Sequence, residues 1–104
     1  MDRKSLVKKL KDFRKRLEEI MDIKEVILFG SRAIGKQKKD SDVDLIIVGH
    51  FEGKGNLERA PKLYNLWEID LPVDFICYTP EEYELLKKRI SIVREALETG
   101  IFIR

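Results

Sequence analysis

At 104 residues the chain has room for one modest core and none for a two-lobed enzyme, so one domain over 1–104 is expected. Its longest apolar runs, Val26–Phe29 and Leu45–Val48, are far too short to cross a bilayer, and a lone Cys77 excludes an internal disulfide or a cysteine-based zinc site. Charged residues reach 38%, but the two signs nearly cancel at a formal net charge of +2. That balance suits an ion-paired surface, as in thermophile proteins, better than a nucleic-acid footprint. The basic clusters "KKLKDFRKR" (8–16) and "KQKK" (36–39) read as solvated faces, so neither a nucleic acid nor a membrane is expected as partner. The opening "MDRKSLVKKLKDFRKRLEE" lacks an apolar secretory segment, which points to a reducing cytoplasm.

Leu6, Leu10, Phe13, Leu17 and Ile20 recur at spacings of 4, 3, 4 and 3, predicting a helix over roughly 4–21 with that stripe in the core. "KEVILF" (24–29) is a strand that ends at Gly30, and a short helix runs from Ser31 to near Gly35. "KQKKDSD" is a polar turn, and "VDLIIV" (43–48) is a second strand. "GHFEGKGN" (49–56) reads as a glycine-rich loop without the spacing of a phosphate-binding motif. Asn56 is expected to cap a helix of about ten residues carrying Leu57, Leu63, Tyr64, Leu66 and Trp67, with Pro61 in its first turn. "LPVDFICY" (71–78) is a third strand.

Thr79-Pro80-Glu81-Glu82 then starts a helix with a capping box. Tyr83, Leu86, Ile90, Val93 and Leu97 continue it, as one helix or a broken pair, until Gly100. "IFIR" (101–104) adds a short last strand. The order α-β-α-β-α-β-α-β predicts an α/β (α+β) domain with a mixed sheet of about four strands flanked by helices. The short hop between the first two strands favours an antiparallel pair there.

Residues i and i+2 of a strand share a face, so Asp42 and Asp44 project together while Val43 turns to the core. Two carboxylates that close repel unless a cation lies between them, and their hard oxygens suit Mg²⁺ or Mn²⁺ rather than zinc. Asp74 shares a face with Ile76 and Tyr78; if its strand neighbours the second one, it completes a three-carboxylate cluster of the kind that serves two-metal phosphoryl transfer. Gly30-Ser31, where a strand turns straight into a helix, offers backbone N–H groups and a hydroxyl to a phosphate. Arg32 either adds charge there or points into solvent.

Gly30-Ser31, ten intervening residues, then Asp42-x-Asp44 resembles the signature of the DNA polymerase β-type nucleotidyltransferase superfamily, and the later Asp74 strengthens the likeness. It covers nearly the whole chain, through the "TPEEYE…REALETGIFIR" ending, and points to the minimal nucleotidyltransferases of the antitoxin type. The resemblance implies transfer of a nucleoside monophosphate, AMP from ATP, to a hydroxyl with two Mg²⁺ ions. Asp42 and Asp44 would hold the metals, Asp74 the catalytic metal and the hydroxyl proton, and Gly30 and Ser31 the β/γ-phosphates. It further implies a helical HEPN-type toxin as partner and acceptor.

The acceptor and the base stay open at this stage. Transfer to a small molecule such as an aminoglycoside is one alternative, and a module that neutralises its partner by contact alone is another. Three intact aspartates favour catalysis, because a pure binder has no need of them. His50 reads as an isolated exposed residue and Cys77 as a small core hydrophobe. Phe51, Tyr64 and Trp67 cover an edge of the core or, alternatively, a homodimer contact. Tyr78 can border the site and is given no role.

Overall fold

The computed structural model describes residues 1–104. The first helix, α1 (Arg3–Glu18), is capped by the Asp2 carboxylate, which accepts from the Ser5 N–H at 2.7 Å. Leu6, Leu10, Phe13 and Leu17 are buried along it as expected. Ile20 is not: it is 53% exposed. The helix ends before it, and the Ile20 and Met21 N–H groups both fold back onto the Leu17 carbonyl, so Met21 rather than Ile20 packs on the core.

Strand β1 (Ile23–Phe29) leads through the one-turn helix α2 (Ser31–Ile34) and a polar loop to β2 (Val43–Gly49). The ten-residue helix expected after Asn56 is two short ones, α3 (Asn56–Arg59) and α4 (Pro61–Leu66). Pro61 opens the second, where its missing N–H costs least. Asn56 does not cap. Its amide instead bridges to the next strand, β3 (Val73–Tyr78), donating to the Phe75 carbonyl at 2.7 Å and accepting from the Cys77 N–H at 2.8 Å. Leu57 is left 94% exposed.

The Thr79–Glu82 capping box forms, and it starts α5 (Pro80–Lys87). A broken pair results: Ser91 caps α6 (Ile92–Thr99), and Ile90 in the turn between is almost fully exposed. The chain closes with β4 (Ile101–Phe102).

The sheet order is β3-β2-β1-β4. β2 is antiparallel to β1 and parallel to β3, so the sheet is mixed as expected. Helices cover both faces. Val43, Leu45, Ile47, Phe75 and Cys77 turn to α1 and α4, while Ile46 and Val48 turn to Tyr83, Val93 and Ala96 of α5 and α6. Phe75 stacks on Phe13 and takes Trp67 edge-on, so Trp67 is core. Phe51 is buried with them, whereas Tyr64 stays half out. No helix is long and apolar enough to cross a membrane.

Candidate active site

β2 is a central strand, and its first turn is hemmed in on both sides. Asp44 pairs with Phe29 at the end of β1 and with Asp74 at the start of β3. Phe29 is followed at once by Gly30, whose φ of 75° and ψ of −158° lie in a region open to glycine alone. A Cβ on Gly30 would overlap Asp44 Oδ2. The backbone therefore requires glycine here, and a Cβ would in addition displace the Asp44 carboxylate.

The parallel register of β2 and β3 sets Asp44 and Asp74 directly opposite each other on the α5/α6 face. The Val43 N–H donates to the Pro72 carbonyl at 2.8 Å, carrying the pairing one step beyond the ladder. Burial pushes the Asp44 carboxyl above its usual value, and the negative charges of Asp74 and then Asp42 push the same way. Both other acids thus bear on Asp44. Asp42 and Asp74 are exposed, and no three acidic side chains close around one point. Such a crowd of like charges, made only of carboxylate oxygens, fits a hard divalent cation.

Ser31 is half-buried beside Gly30 at the start of α2. Arg32 does not take the solvent course that was one of the two expected of it, being 3% exposed. Nε donates to the Ser41 carbonyl at 2.9 Å and Nη2 to the Lys39 carbonyl at 3.3 Å, so the guanidinium holds the loop that ends at Asp42.

A nucleotidyltransferase-domain family profile matches residues 7–100. The chain belongs to that family. A "putative protein adenylyltransferase" of Methanocaldococcus jannaschii is 36% identical over 80 residues, 75% of each chain. A "probable protein adenylyltransferase MntA" of Haemophilus influenzae is 31% identical over 88 residues, 80% of this chain and 76% of that one. Among solved structures, a "putative nucleotidyltransferase" of Sulfolobus solfataricus superposes with a TM-score of 0.67 at 20% identity, over 96% of this chain and 80% of that one. A toxin–antitoxin solved with AMP-PNP gives 0.59 at 21% identity, over 90% and 72%. At those identities the two structures speak for the fold alone.

Three other polar or reactive groups of this nucleotidyltransferase stand apart from the acids. Burial pushes the Cys77 thiol up to about 12, which keeps it protonated and inert. His50 is exposed beside Asp22, with Nε2 at 3.3 Å from Oδ2. Tyr78 lies four residues along β3 from Asp74, about 13 Å away at strand rise, and packs against the α5/α6 layer. Sequence reasoning missed Ser41 and Pro72, which hold the backbone on either side of Asp42 through their carbonyls. The "DSD" turn hinted at the first, and nothing marked the second.

Proposed function

We propose that this nucleotidyltransferase is Mg²⁺-dependent and moves AMP from ATP to a hydroxyl on a partner protein. The observation that carries the reading is the in-register pair Asp44–Asp74, pressed against the Gly30 turn and joined by the charge of Asp42. Ions bound there would neutralise the phosphates and stabilise both the attacking and the leaving oxygen of an in-line displacement. Asp42 and Asp44 would hold them, and Asp74 would hold one while taking the proton from the acceptor hydroxyl. The Gly30 backbone, with no Cβ in the way, and the Ser31 hydroxyl would hold the β/γ-phosphates. The acceptor oxygen bonds to the α-phosphorus as the bond from that phosphorus to the β-bridging oxygen breaks, and pyrophosphate leaves.

Asp42 and Asp74 lie on an exposed rim, where a second chain can present its hydroxyl. Both curated relatives carry the name protein adenylyltransferase, which supports a protein acceptor. The likeness to toxin–antitoxin complexes, one of them named MntA-HpeT, supports a toxin as that partner. We take it to be a helical HEPN-type chain, silenced by AMP in the cytoplasm.

Co-expression with the chromosomal neighbour, addition of Mg-ATP and intact-mass measurement of both chains tests this. The expected result is a gain of one or more AMP units on the neighbour that disappears in Asp44→Asn. A stable complex without any mass change would replace the reading with silencing by contact alone.

A further inference from the structure

Arg32 is a buried cation that forms no ion pair: every salt bridge of the chain lies elsewhere, and its hydrogen-bond partners are two backbone carbonyls. A buried guanidinium without a carboxylate is costly, so a fold that keeps one must use its fixed fork geometry. The fork reaches across the loop between α2 and β2. That loop carries the exposed Lys36, Lys38, Lys39 and Asp40 and buries little of its own. Its local bonds, Lys38 N–H to Ser41 Oγ at 2.8 Å and Ser41 N–H to the Lys38 carbonyl at 3.1 Å, shape the turn but do not tie it to the rest of the molecule.

Two backbone anchors bracket Asp42. On one side Arg32 grips the Ser41 carbonyl, and on the other the Val43 N–H is held by Pro72. Asp44 and Asp74 sit within the paired ladder and need no such help, but Asp42 lies just outside it. Arg32 also follows Gly30-Ser31 in the chain, so one residue joins the glycine turn to the loop that delivers Asp42.

We propose that Arg32 is the positioning residue for Asp42, and that it sets the affinity of the acidic cluster for its divalent ion without touching ion or nucleotide. The inference rests on the reading of the three aspartates as metal ligands. Lysine keeps the charge but can grip only one point, so Arg32→Lys isolates the fork.

The test is a titration of the full chain with Mn²⁺ alone, followed by electron paramagnetic resonance. Arg59→Lys serves as control, since it strips the same fork from a buried arginine far from the acids. The expected result is binding abolished in Asp42→Asn, about tenfold weaker in Arg32→Lys, and unchanged in Arg59→Lys. Amide exchange across 38–43 should quicken in Arg32→Lys alone. In the transfer assay the Arg32→Lys rate should recover at high Mg²⁺, which general loosening of the fold would not allow.

Should Arg32→Lys not fold, Ser41→Ala opens the same turn from outside the buried charge and is expected to weaken Mn²⁺ binding in the same direction. Wild-type affinity in the variant read, or equal loss in Arg59→Lys, would overturn the proposal while leaving the site intact. Mn²⁺ binding indifferent to Asp42→Asn would overturn the metal-site reading, and the proposal with it.

Discussion

The two ends of the β2–β3 ladder are built on opposite terms. At the start of the strands, Asp44 faces Asp74 across the pairing, like charge against like, with Asp42 adding to the repulsion. At the far end Val48 faces Tyr78, and the buried charge beside it is paired. There Arg59 is 5% exposed, as deeply buried as Arg32, but its guanidinium reaches the Glu82 carboxylate as well as the Gly53 and Cys77 carbonyls. Glu82 in turn closes the capping box of α5, and Asn56 bridges the edge of β3. One end of the ladder holds the fold together; the other stores repulsion that a cation can relieve. On the proposed reading of the acids, stability and chemistry are kept about a strand's length apart, and a change at one end should leave the other's property intact.

The largest effect expected is on chemistry. Asp74→Asn should slow AMP transfer by about a hundredfold or more, read as the rate of mass gain on the acceptor, without lowering the melting temperature. A drop in melting temperature of the same variant would mean that the acid end also supports the fold. Next comes Arg59→Met, which leaves two carbonyls and Glu82 without their donor. It should cost about 3 kcal/mol in urea unfolding, the low end for breaking a buried pair because Glu82 is half-exposed, with transfer per folded molecule preserved.

Gly30→Ala sharpens the comparison, because it strikes the acid end through the backbone. The positive φ and the overlap with Asp44 Oδ2 should together cost about 1–3 kcal/mol and should also suppress transfer. Of the variants at the acid end, this one alone should be unstable as well as inactive.

The smallest effect is on pH dependence, where the two ends should differ in sign. The hydrogen bond from Arg59, ahead of the Thr79 N–H, holds Glu82 below its usual 4.5. Its contribution is therefore complete above that value and lost as pH falls through the lower folded one. The Asp44 carboxyl is held above its usual 3.8, so its cost is absent in stronger acid and grows as pH rises through the higher folded value. Glu82→Gln should lower stability at neutral pH and flatten the acid loss. Asp44→Asn should raise stability at neutral pH and not below pH 3.8. Melting temperatures across pH 3 to 7 read both signs, and equal signs would erase the distinction between the ends.

Much of this was legible in the residues. Strand alternation turned Val43 to the core and set Ile76 and Tyr78 on one face with Asp74; Val43 packs in the α1/α4 layer, and Ile76 and Tyr78 pack in the other. The capping box and the antiparallel first pair were equally readable, and the broken pair of helices was one of two readings left open. Each is a relation between neighbours along one element, and spacing reports such relations faithfully.

The misses are of another kind. Ile20 fits the stripe of α1, but the helix stops before it; Asn56 looks like a cap and serves as a strand bridge; Arg32, open to a solvent-facing reading, is buried and grips a loop. In the last two the partners are backbone groups of distant residues: the carbonyl of Phe75, the N–H of Cys77, the carbonyls of Lys39 and Ser41. Every residue carries a carbonyl and nearly every one an N–H, so such partners leave no signature in the side chains. Which acids share a face follows from the order of residues. Which backbone atom a buried arginine holds depends on how close the packed chain brings them.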